Sequence, residues 1–426
     1  MSDSGAVERT QAAATPADRR DISGMWLKIG LLSFGGPAGQ IALMQTELVD
    51  KRKLLDQQTF LRGLNFSMLL PGPEAQQLAT WLGWRLGGLW GGMFAGLAFV
   101  LPGAALMIGL AWLAASAGET QWARWLFAGV QPVVLAIVAQ ALYRIARKAL
   151  NGPAALALAV GAFVAIYFLG APFPLIVALA ASVGLLLPHG PEQTEADPAP
   201  PGSRGFALRV VLAFAAAVAV VFFLVRGLLG PDPFDEVAEL FLSAAFVTFG
   251  GAYAVLPYVA DLAVESYGWL GKAEMINGLA LAESTPGPLI LVNVYAGFFA
   301  GWDAPGDAPV AILTAALACF YTFAPSFMLI LAAAPYVERL QNAPVARRAL
   351  AGVSAAVVGV IANLAVYFGV EALAPAGASG PLGLDLVRVG IALVAAGLAF
   401  GLNLSMQYLV ALGAAAGLML GYGGLL

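Results

Sequence analysis

The chain has 426 residues, of which 60% are hydrophobic and 11% are charged, and its mean hydropathy is +0.84. Soluble globular domains carry about twice this share of charge, so the composition indicates an all-α polytopic membrane protein in contact with the lipid bilayer. One cysteine and one histidine exclude a disulfide framework and a Cys/His metal site built from this chain alone. We therefore expect no metal, no cofactor and no nucleic-acid partner, while the net charge of −4 says little about partners in a membrane protein.

The polar N-terminus, residues 1–21, is expected to be a short cytoplasmic tail, because it contains three arginines and lacks the apolar core of a secretory signal peptide. Beyond it, apolar segments alternate with short polar loops. A membrane span needs about 20 apolar residues. About 13 segments approach this length: residues 22–48, 57–86, 88–116, 122–146, 153–170, 172–188, 206–229, 234–262, 272–300, 309–337, 345–370, 385–402 and 404–422.

The first two apolar segments each contain a sequence that breaks a helix, "SFGGPAGQ" at residues 33–40 and "LLPGPEAQQLA" at residues 69–79. Proline removes a backbone N–H and glycine lets the chain leave helical geometry, so we expect broken or re-entrant helices there. A helix that restarts after such a break presents unpaired N–H groups and the positive end of its dipole, which suits an anion. The first half of an oxyanion site is therefore predicted to contain Ser33, Gly35, Gly36, Gln40, Pro71, Gly72, Pro73 and Gln77.

Two ionisable residues lie beside these breaks, where a charge inside the membrane is costly and usually functional. Lys28 is seven residues, or two helical turns, before Gly35, so we predict that its charge reaches a bound anion. Glu74 follows the second break directly. It is predicted either to carry a proton or to cap the new helix start.

Arg85 and three tryptophans follow the second break. Arg85 lies about three turns beyond Glu74, and the sequence leaves open whether it contributes to the site or extends to the membrane interface. The tryptophans are typical of an interfacial aromatic belt rather than of a ligand cage, and they are Trp81, Trp84 and Trp90.

A Pro-rich polar stretch at residues 189–205 is predicted to be a linker between two transporter repeats, residues 22–188 and 230–426, with a connecting transmembrane helix at residues 206–229. Phe-Gly-Gly and Pro-Gly-Pro both recur in the second half, and the two recurrences have the same offset in residue number (249 − 34 = 286 − 71 = 215). We call this difference the repeat offset. With six matched segments in each half and one odd helix between them, the second half enters the membrane from the opposite side. We therefore predict two inverted repeats, a construction in which secondary transporters bind substrate at the midplane.

The second half is predicted to supply the other part of the site. Its breaks, "TFGG" at residues 248–251 and "STPGP" at residues 284–288, repeat those of the first half, which favours a binding role over simple helix packing. Glu283 stands beside the second of them and is another candidate for proton coupling. The remaining candidates are Thr248, Gly250, Gly251, Pro286, Gly287, Pro288 and Asn293.

The positions of the basic residues test the predicted topology. With a cytoplasmic N-terminus, the basic loops at residues 144–148 and 339–348 lie in the cytoplasm, as the positive-inside rule requires, and the C-terminus lies in the periplasm. The loop at residues 51–53 disagrees unless segments 22–48 and 57–86 are re-entrant hairpins. The sequence alone does not decide between hairpins and full spans.

Four stretches together resemble the chromate ion transporter family in its long, two-domain form: "FGGPAGQIALM", "LPGPEAQQLATWLGW", and the degenerate copies "FVTFGGAYAVLPYV" and "ESTPGPLILVNVYAGF". The resemblance covers nearly the whole chain except the N-terminal tail and the linker. It implies a bacterial inner-membrane protein that exports chromate and confers chromate resistance, with sulfate as the related dianion and the proton motive force as the energy source.

The family motifs carry over to specific positions of this chain. The second half departs from them, because Ala252 replaces the proline of "FGGP" and Leu289 replaces the glutamate after "PGP". The two halves are therefore not expected to contact a ligand equivalently. The matching positions are Phe34, Gly35, Gly36, Pro37, Gly39, Gln40, Pro71, Gly72, Pro73, Glu74, Gln77 and Leu78.

Two other functions stay open at this point. One is a permease or channel for another small oxyanion, and the other is a membrane enzyme that acts on a lipid phosphate, since helix N-termini also hold phosphates. No paired histidines, acidic metal motif or nucleophile with a base is visible, so we predict that the protein is not an enzyme. The sequence does not define the oligomeric state, for which a homodimer is one option.

Overall fold

A computed structural model describes residues 16–118, 120–186, 204–303, 307–337, 344–375 and 383–425. All regular secondary structure in these residues is helical. Among the described residues, five helices are long and apolar enough to cross a membrane: Glu74–Ala117, Gln121–Ala149, Gly205–Leu229, Ala308–Tyr336 and Val345–Leu373. The prediction of an all-α membrane protein is thereby confirmed. Most of the predicted N-terminal tail and of the linker lies outside the described residues.

The described residues of the first half form seven α-helices, of which the first and the third end where the sequence predicts a break. A π-helical turn, Thr46–Lys51, continues the second of these helices. In chain order the helices are α1 (Pro16–Leu32), α2 (Gly36–Gln45), α3 (Gln57–Ser67), α4 (Glu74–Ala117), α5 (Gln121–Ala149), α6 (Pro153–Leu169) and α7 (Phe173–Leu186).

The connecting helix α8 (Arg204–Leu229) lies at the periphery of the protein. Only 6% of its most apolar stretch of residues is buried against other helices. The second half then follows the order of the first, with its own π-helical turn at Asp261–Ser266 and a 3₁₀ turn at Leu289–Leu291. Its helices are α9 (Phe234–Val247), α10 (Ala252–Ala260), α11 (Lys272–Ser284), α12 (Val292–Phe299), α13 (Ala308–Ala333), α14 (Pro344–Leu373), α15 (Leu386–Gly401) and α16 (Met406–Tyr422).

Helix α4 consists of two arms that fold back on each other. Gly87 and Gly88 have non-helical backbone angles, and two adjacent residues without side chains permit so tight a turn. A Cβ on Gly83 would lie 2.4 Å from the Cβ of Ala95, so the arms 74–86 and 89–117 pack closely beyond the turn. The sequence-based boundary between segments 57–86 and 88–116 falls at this glycine pair.

Helix α3 and the first arm of α4 form a short hairpin across Pro-Gly-Pro. A Cβ on Gly63 of α3 would lie 2.4 Å from the ring of Trp81, which is possible only if the two helices run back alongside each other. At 1.5 Å per residue each helix is roughly 15–20 Å long, whereas the hydrocarbon core is about 30 Å thick. In the second half, Gly278 of α11 meets the ring of Tyr295 of α12 in the same way, and Gly278 follows Gly63 by the repeat offset (278 − 63).

Candidate functional site

The four breaks meet in pairs, and each pair joins one half of the chain to the other. The N–H of Gly72 donates to the carbonyl of Thr248 at 2.7 Å, and the N–H of Gly287 donates to the carbonyl of Ser33 at 3.0 Å. The two glycines are separated by the repeat offset, and so are the two acceptors (287 − 72 and 248 − 33), so the hydrogen bonds occupy equivalent positions. The Pro-Gly-Pro turn of each half is therefore bonded to the Phe-Gly-Gly turn of the other.

The glycines at these breaks are required by the backbone. Gly72 has a φ of +125° and Gly287 a φ of +99°, a region in which a residue with a side chain is strained. The two Phe-Gly-Gly turns also use positive φ angles, which are +87° at Gly35, +68° at Gly36, +79° at Gly250 and +97° at Gly251.

Polar side chains surround the Pro-Gly-Pro turn of the first half. Gln77 donates from Nε2 to the carbonyl of Pro71 at 2.7 Å. Ser326 of α13 donates to Oε1 of Gln76 at 2.6 Å, and both side chains are almost fully buried. A Cβ on Gly72 would lie 2.7 Å from Nε2 of Gln77 and from Oγ of Ser326, so the turn and these polar groups are in direct contact.

The Pro-Gly-Pro turn of the second half has a different environment. Gln40 donates from Nε2 to the carbonyl of Gly287 at 2.6 Å and to that of Ser33 at 3.2 Å. Oγ of Ser33 accepts a further hydrogen bond from the N–H of Gly287 at 3.0 Å. A Cβ on Gly287 would lie 2.9 Å from Cδ1 of Leu291, and Leu291 follows Gln76 by the repeat offset (291 − 76). The two turns thus share backbone geometry but differ in chemistry.

Three helices begin at the breaks without a capping side chain. They are α2, which begins at Gly36, α4, which begins at Glu74, and α10, which begins at Ala252. The first N–H groups of a helix have no partner within the helix, and the positive end of the dipole lies there. Each of these helix starts is therefore suited to a small anion.

Most side-chain N–H and O–H groups that were predicted to bind an oxyanion already have protein acceptors. In addition to the bonds of Gln40 and Gln77, Ser33 donates to a backbone carbonyl at 2.8 Å and Asn293 donates to Oγ1 of Thr322 at 3.2 Å. Within the described chain, the carbonyl oxygens of Gln40, Gln77 and Asn293 are buried without a hydrogen-bond donor. An anion here would rely first on the helix N–H groups, and contact with the amide groups would need local rearrangement.

The two candidate carboxylates have different surroundings. Glu283 is 5% exposed and accepts a hydrogen bond from the hydroxyl of Tyr253, which follows the second Phe-Gly-Gly. Glu74 is half-buried in the first turn of α4 and has no hydrogen bond or ion pair among the described residues. In the described part of the chain, no three His, Cys, Asp or Glu residues converge on a point that could hold a metal ion.

Lys28, which the sequence predicts to reach a bound anion, is paired with Glu47 of the protein. Its Nζ is 3.0 Å from Oε1 of Glu47, its side chain is 49% exposed, and Lys51 approaches the same carboxylate oxygen at 2.9 Å. Helix α1 ends at Leu32, so the helix face that carries Lys28 is not continued to Gly35. The positive charge of Lys28 is therefore paired with a carboxylate of the protein.

Several polar residues at the site were not predicted from the sequence. Thr80 accepts a hydrogen bond from Gln76 at 2.9 Å, and Ser326 and Thr322 reach the site from α13. The sequence feature that could have identified Ser326 is its position as a polar residue next to Pro325 within an apolar helix.

A second buried polar chain anchors α11, the helix that leads to the second Pro-Gly-Pro. Arg388 of α15 donates to Oε1 of Gln131 at 3.1 Å, and Gln131 donates to Oδ1 of Asn277 on α11 at 3.1 Å. Gln131 and Asn277 are both buried. These contacts connect helices of both halves, and the sequence analysis did not identify them.

Comparisons with a family model and with individual known proteins point to the same family. A family model described as chromate transporter matches residues 20–185 and 236–418. A chromate transport protein of Pseudomonas aeruginosa is 32% identical over 411 residues, which cover 92% of this chain and 89% of that protein. A probable chromate transport protein of Synechococcus elongatus is 29% identical over 357 residues, 83% of this chain and 85% of that protein, and a chromate transport protein of Cupriavidus metallidurans is 26% identical over 347 residues, 82% of each. No solved structure matches the chain.

Proposed function

Because the chain belongs to the chromate transporter family, we propose that it is a secondary active transporter that exports chromate from the cytoplasm across the inner membrane. The observation that carries this proposal is the crossing of the breaks, where hydrogen-bonded turns of the two halves lead into helices with uncapped starts. Anions bind at helix starts, and transporters with broken helices bind their substrates where such helices meet.

We further propose that residues 22–188 and 230–426 are inverted repeats joined by the helix at residues 206–229, giving about 13 apolar segments. The reciprocal hydrogen bonds at Gly72 and Gly287 support a twofold relation, because a rotation exchanges the two bonds whereas a translation of one half does not. The π-helical turns Thr46–Lys51 and Asp261–Ser266 are also separated by the repeat offset at both ends (261 − 46 and 266 − 51).

Packing between the later helices supports the same relation. Gly129 of α5 lies against the backbone of Gly417 of α16, and Gly352 of α14 lies against that of Gly184 of α7. The difference between Gly129 and Gly352 (352 − 129) is somewhat larger than the repeat offset, as expected after an insertion in the loop at residues 301–309. Each of these helices therefore packs on a helix of the opposite half, in an equivalent pair.

The proposed substrate is the chromate dianion, with sulfate as a second tetrahedral dianion that the same site accepts. We place the anion at the crossing of the breaks, nearest to the polar first-half turn. The proposed binding residues are Ser33, Gly35, Gly36, Gln40, Pro71, Gly72, Pro73, Gln77, Thr248, Gly250, Gly251, Pro286, Gly287, Pro288 and Asn293.

The proton motive force is the proposed energy source. Moving one charge through 100 mV is worth about 2.3 kcal/mol, so an inside-negative membrane potential favours the exit of a dianion. Glu74 and Glu283 are the proposed proton-coupling residues, because they are the carboxylates beside the two Pro-Gly-Pro turns.

Uptake of labelled chromate into inside-out membrane vesicles tests the proposed function. Energised vesicles that contain the protein are expected to accumulate chromate above the external concentration, and sulfate in excess is expected to compete. Vesicles without the protein serve as the control. Equilibration without accumulation would identify a channel or passive permease, and a covalently modified product would identify an enzyme.

The proposed topology places the N-terminus in the cytoplasm and the C-terminus in the periplasm, because one odd helix separates two halves of equal segment number. A reporter that is active only in the periplasm is expected to be active when fused to the C-terminus. The matched control carries the same reporter at the N-terminus. Activity of a cytoplasmic reporter at the C-terminus would contradict the inverted arrangement.

Cross-linking in the same membranes tests the homodimer that we propose as the oligomeric state.

A further inference from the structure

The polar chain that ends on α11 begins at an arginine in the first turn of α15, Arg388. Its side chain is only 16% exposed, and its Nε lies 3.4 Å from Oδ2 of Asp385, the residue that caps α15. Oδ1 of the same carboxylate accepts the N–H groups of Val387 and Arg388 at 2.9 and 3.2 Å. Asp385 thus holds both the start of α15 and the guanidinium group. A charged side chain within the apolar helices of a membrane protein is costly and marks a functional position.

The arginine determines the direction of the whole chain of hydrogen bonds. A guanidinium group has donors and no acceptor, so the amide that faces it must present its oxygen, and Oε1 of Gln131 accepts from Nη1 of Arg388 at 3.1 Å. The amide nitrogen of Gln131 is then left to donate, and it donates to Oδ1 of Asn277 at 3.1 Å. The orientation of the Asn277 amide therefore depends on a residue that it does not contact, two helices away.

The three members lie on three different helices, and both amides are buried. Arg388 belongs to α15, Gln131 to α5 and Asn277 to α11, so the chain connects a helix of the first half to two helices of the second. Gln131 and Asn277 are each 7% exposed. Water does not readily replace a partner lost from a buried amide, so removing one member leaves its neighbour unsatisfied.

Helix α11 carries two features of the site and has only 13 residues. Asn277 lies six residues before Glu283, about 9 Å along the helix axis, and the second Pro-Gly-Pro turn follows directly after the helix. A Cβ on Gly278, the neighbour of Asn277, would lie 2.4 Å from the ring of Tyr295, so α11 packs closely on α12 at the same level. The bond from Gln131 holds α11 to α5. A shift of α11 would displace Glu283 and the second turn together.

We propose that Arg388 is a positioning residue for transport, which acts through Gln131 and Asn277 to hold α11, and with it Glu283 and the second Pro-Gly-Pro turn, in the arrangement that transport requires. This inference rests on the proposed function and adds a residue outside the breaks to it. The anion is placed nearest to the first-half turn, so the loss of Arg388 slows transport without weakening the binding of chromate.

Chromate uptake by the variant Arg388→Met tests the proposal, because methionine keeps an extended side chain without donors. The maximal rate per amount of protein in inside-out vesicles is expected to fall by about tenfold, as for the loss of a hydrogen bond to a charged group. The apparent KM for chromate is expected to equal that of the parent. A merely structural role would lower the amount of protein in the membrane and leave the maximal rate per protein unchanged.

A double-mutant cycle tests whether Arg388 acts through Gln131. Gln131→Met alone is expected to lower the maximal rate by about tenfold, and Arg388→Met/Gln131→Met is expected to show the same loss, because two members of one chain are not additive. Additive effects, which together amount to about a hundredfold, would overturn the proposal and assign Arg388 a separate local role at the start of α15.

Arg209→Met is the matched control, because Arg209 is an exposed arginine on α8, outside the chain of hydrogen bonds, and parental transport is expected. Asn277→Leu tests the other end of the chain and keeps Asp385, Arg388 and Gln131, so it serves even where Arg388→Met does not reach the membrane. Its maximal rate is also expected to fall by about tenfold.

A parental maximal rate in Arg388→Met, or in Asn277→Leu where Arg388→Met is lost from the membrane, would overturn the positioning role while the parent still accumulates chromate. A parent that does not accumulate chromate would instead overturn the proposed function.

Discussion

Replacing Gly72 by alanine is expected to lower chromate transport by about a hundredfold while the protein still reaches the membrane. Gly72 has a φ of +125°, where any side chain strains the backbone. The added Cβ would also lie 2.7 Å from Nε2 of Gln77 and from Oγ of Ser326, so both polar groups must move away from the turn. The measurement is the initial rate of chromate uptake into inside-out vesicles, divided by the amount of protein on an immunoblot.

Gly109→Ala is the control for this substitution. Gly109 lies within α4, and a Cβ there would meet nothing within 4 Å, so parental transport is expected. Ser326→Ala is a second test of the same contact that leaves the backbone unstrained, and it is expected to weaken the apparent affinity for chromate. Parental transport by Gly72→Ala at a normal protein level would remove the turn from the anion path. Loss of the protein from the membrane would show that the turn serves helix packing.

The positions of the breaks could be predicted from the sequence because proline and glycine act locally. Their repetition at a single offset also identified equivalent positions in the two halves. The pairing of the breaks could not be predicted in this way. The hydrogen bond from Gly72 to Thr248 joins residues far apart in the chain, and only the packing of the two halves determines which turn meets which.

The hydrogen-bond and ion-pair partners of individual polar side chains were harder to predict than the breaks, because they depend on neighbours that the sequence does not reveal. Lys28 was placed by counting turns along a helix that in fact ends at Leu32, and it pairs with Glu47. Gln40 was expected to offer its N–H groups to an anion, whereas the carbonyl of Gly287 accepts one of them. A local pattern thus located the polar residues but not their partners.

The sequence shows that the two Pro-Gly-Pro turns are followed by different side chains, and the structure shows which other residues surround them. The repeat offset relates Gln76 and Gln77 to Leu291 and Val292, both apolar, so the helical turn directly after Pro-Gly-Pro carries amide side chains only in the first half. The structure adds Ser326 of the second half to that same turn. Both halves therefore contribute to one polar region, which favours a single anion site over two symmetric ones.

Glu74→Gln is expected to abolish chromate accumulation driven by a pH gradient while chromate binding is retained or tightened. Glu74 stands in the first turn of α4, and no hydrogen bond or ion pair holds its carboxyl among the described residues. A carboxyl that no hydrogen bond holds is free to exchange a proton, and its negative charge opposes a nearby dianion until it is neutralised. Glutamine is nearly isosteric and neutral, so it removes proton exchange and the repulsion together. The measurements are chromate uptake by inside-out vesicles with and without an imposed pH gradient, and chromate binding to the purified protein.

Glu283→Gln is the matched comparison, since Glu283 lies beside the other Pro-Gly-Pro turn but is buried and bonded to the hydroxyl of Tyr253. A smaller loss of coupling is expected there, because release of a proton from this carboxyl must also break or reverse that hydrogen bond. Gradient-driven accumulation by Glu74→Gln equal to that of the parent would remove Glu74 from the coupling mechanism. Loss of coupling in Glu283→Gln alone would move the proton site to the second half, on the side of the crossing where Leu291 replaces an amide.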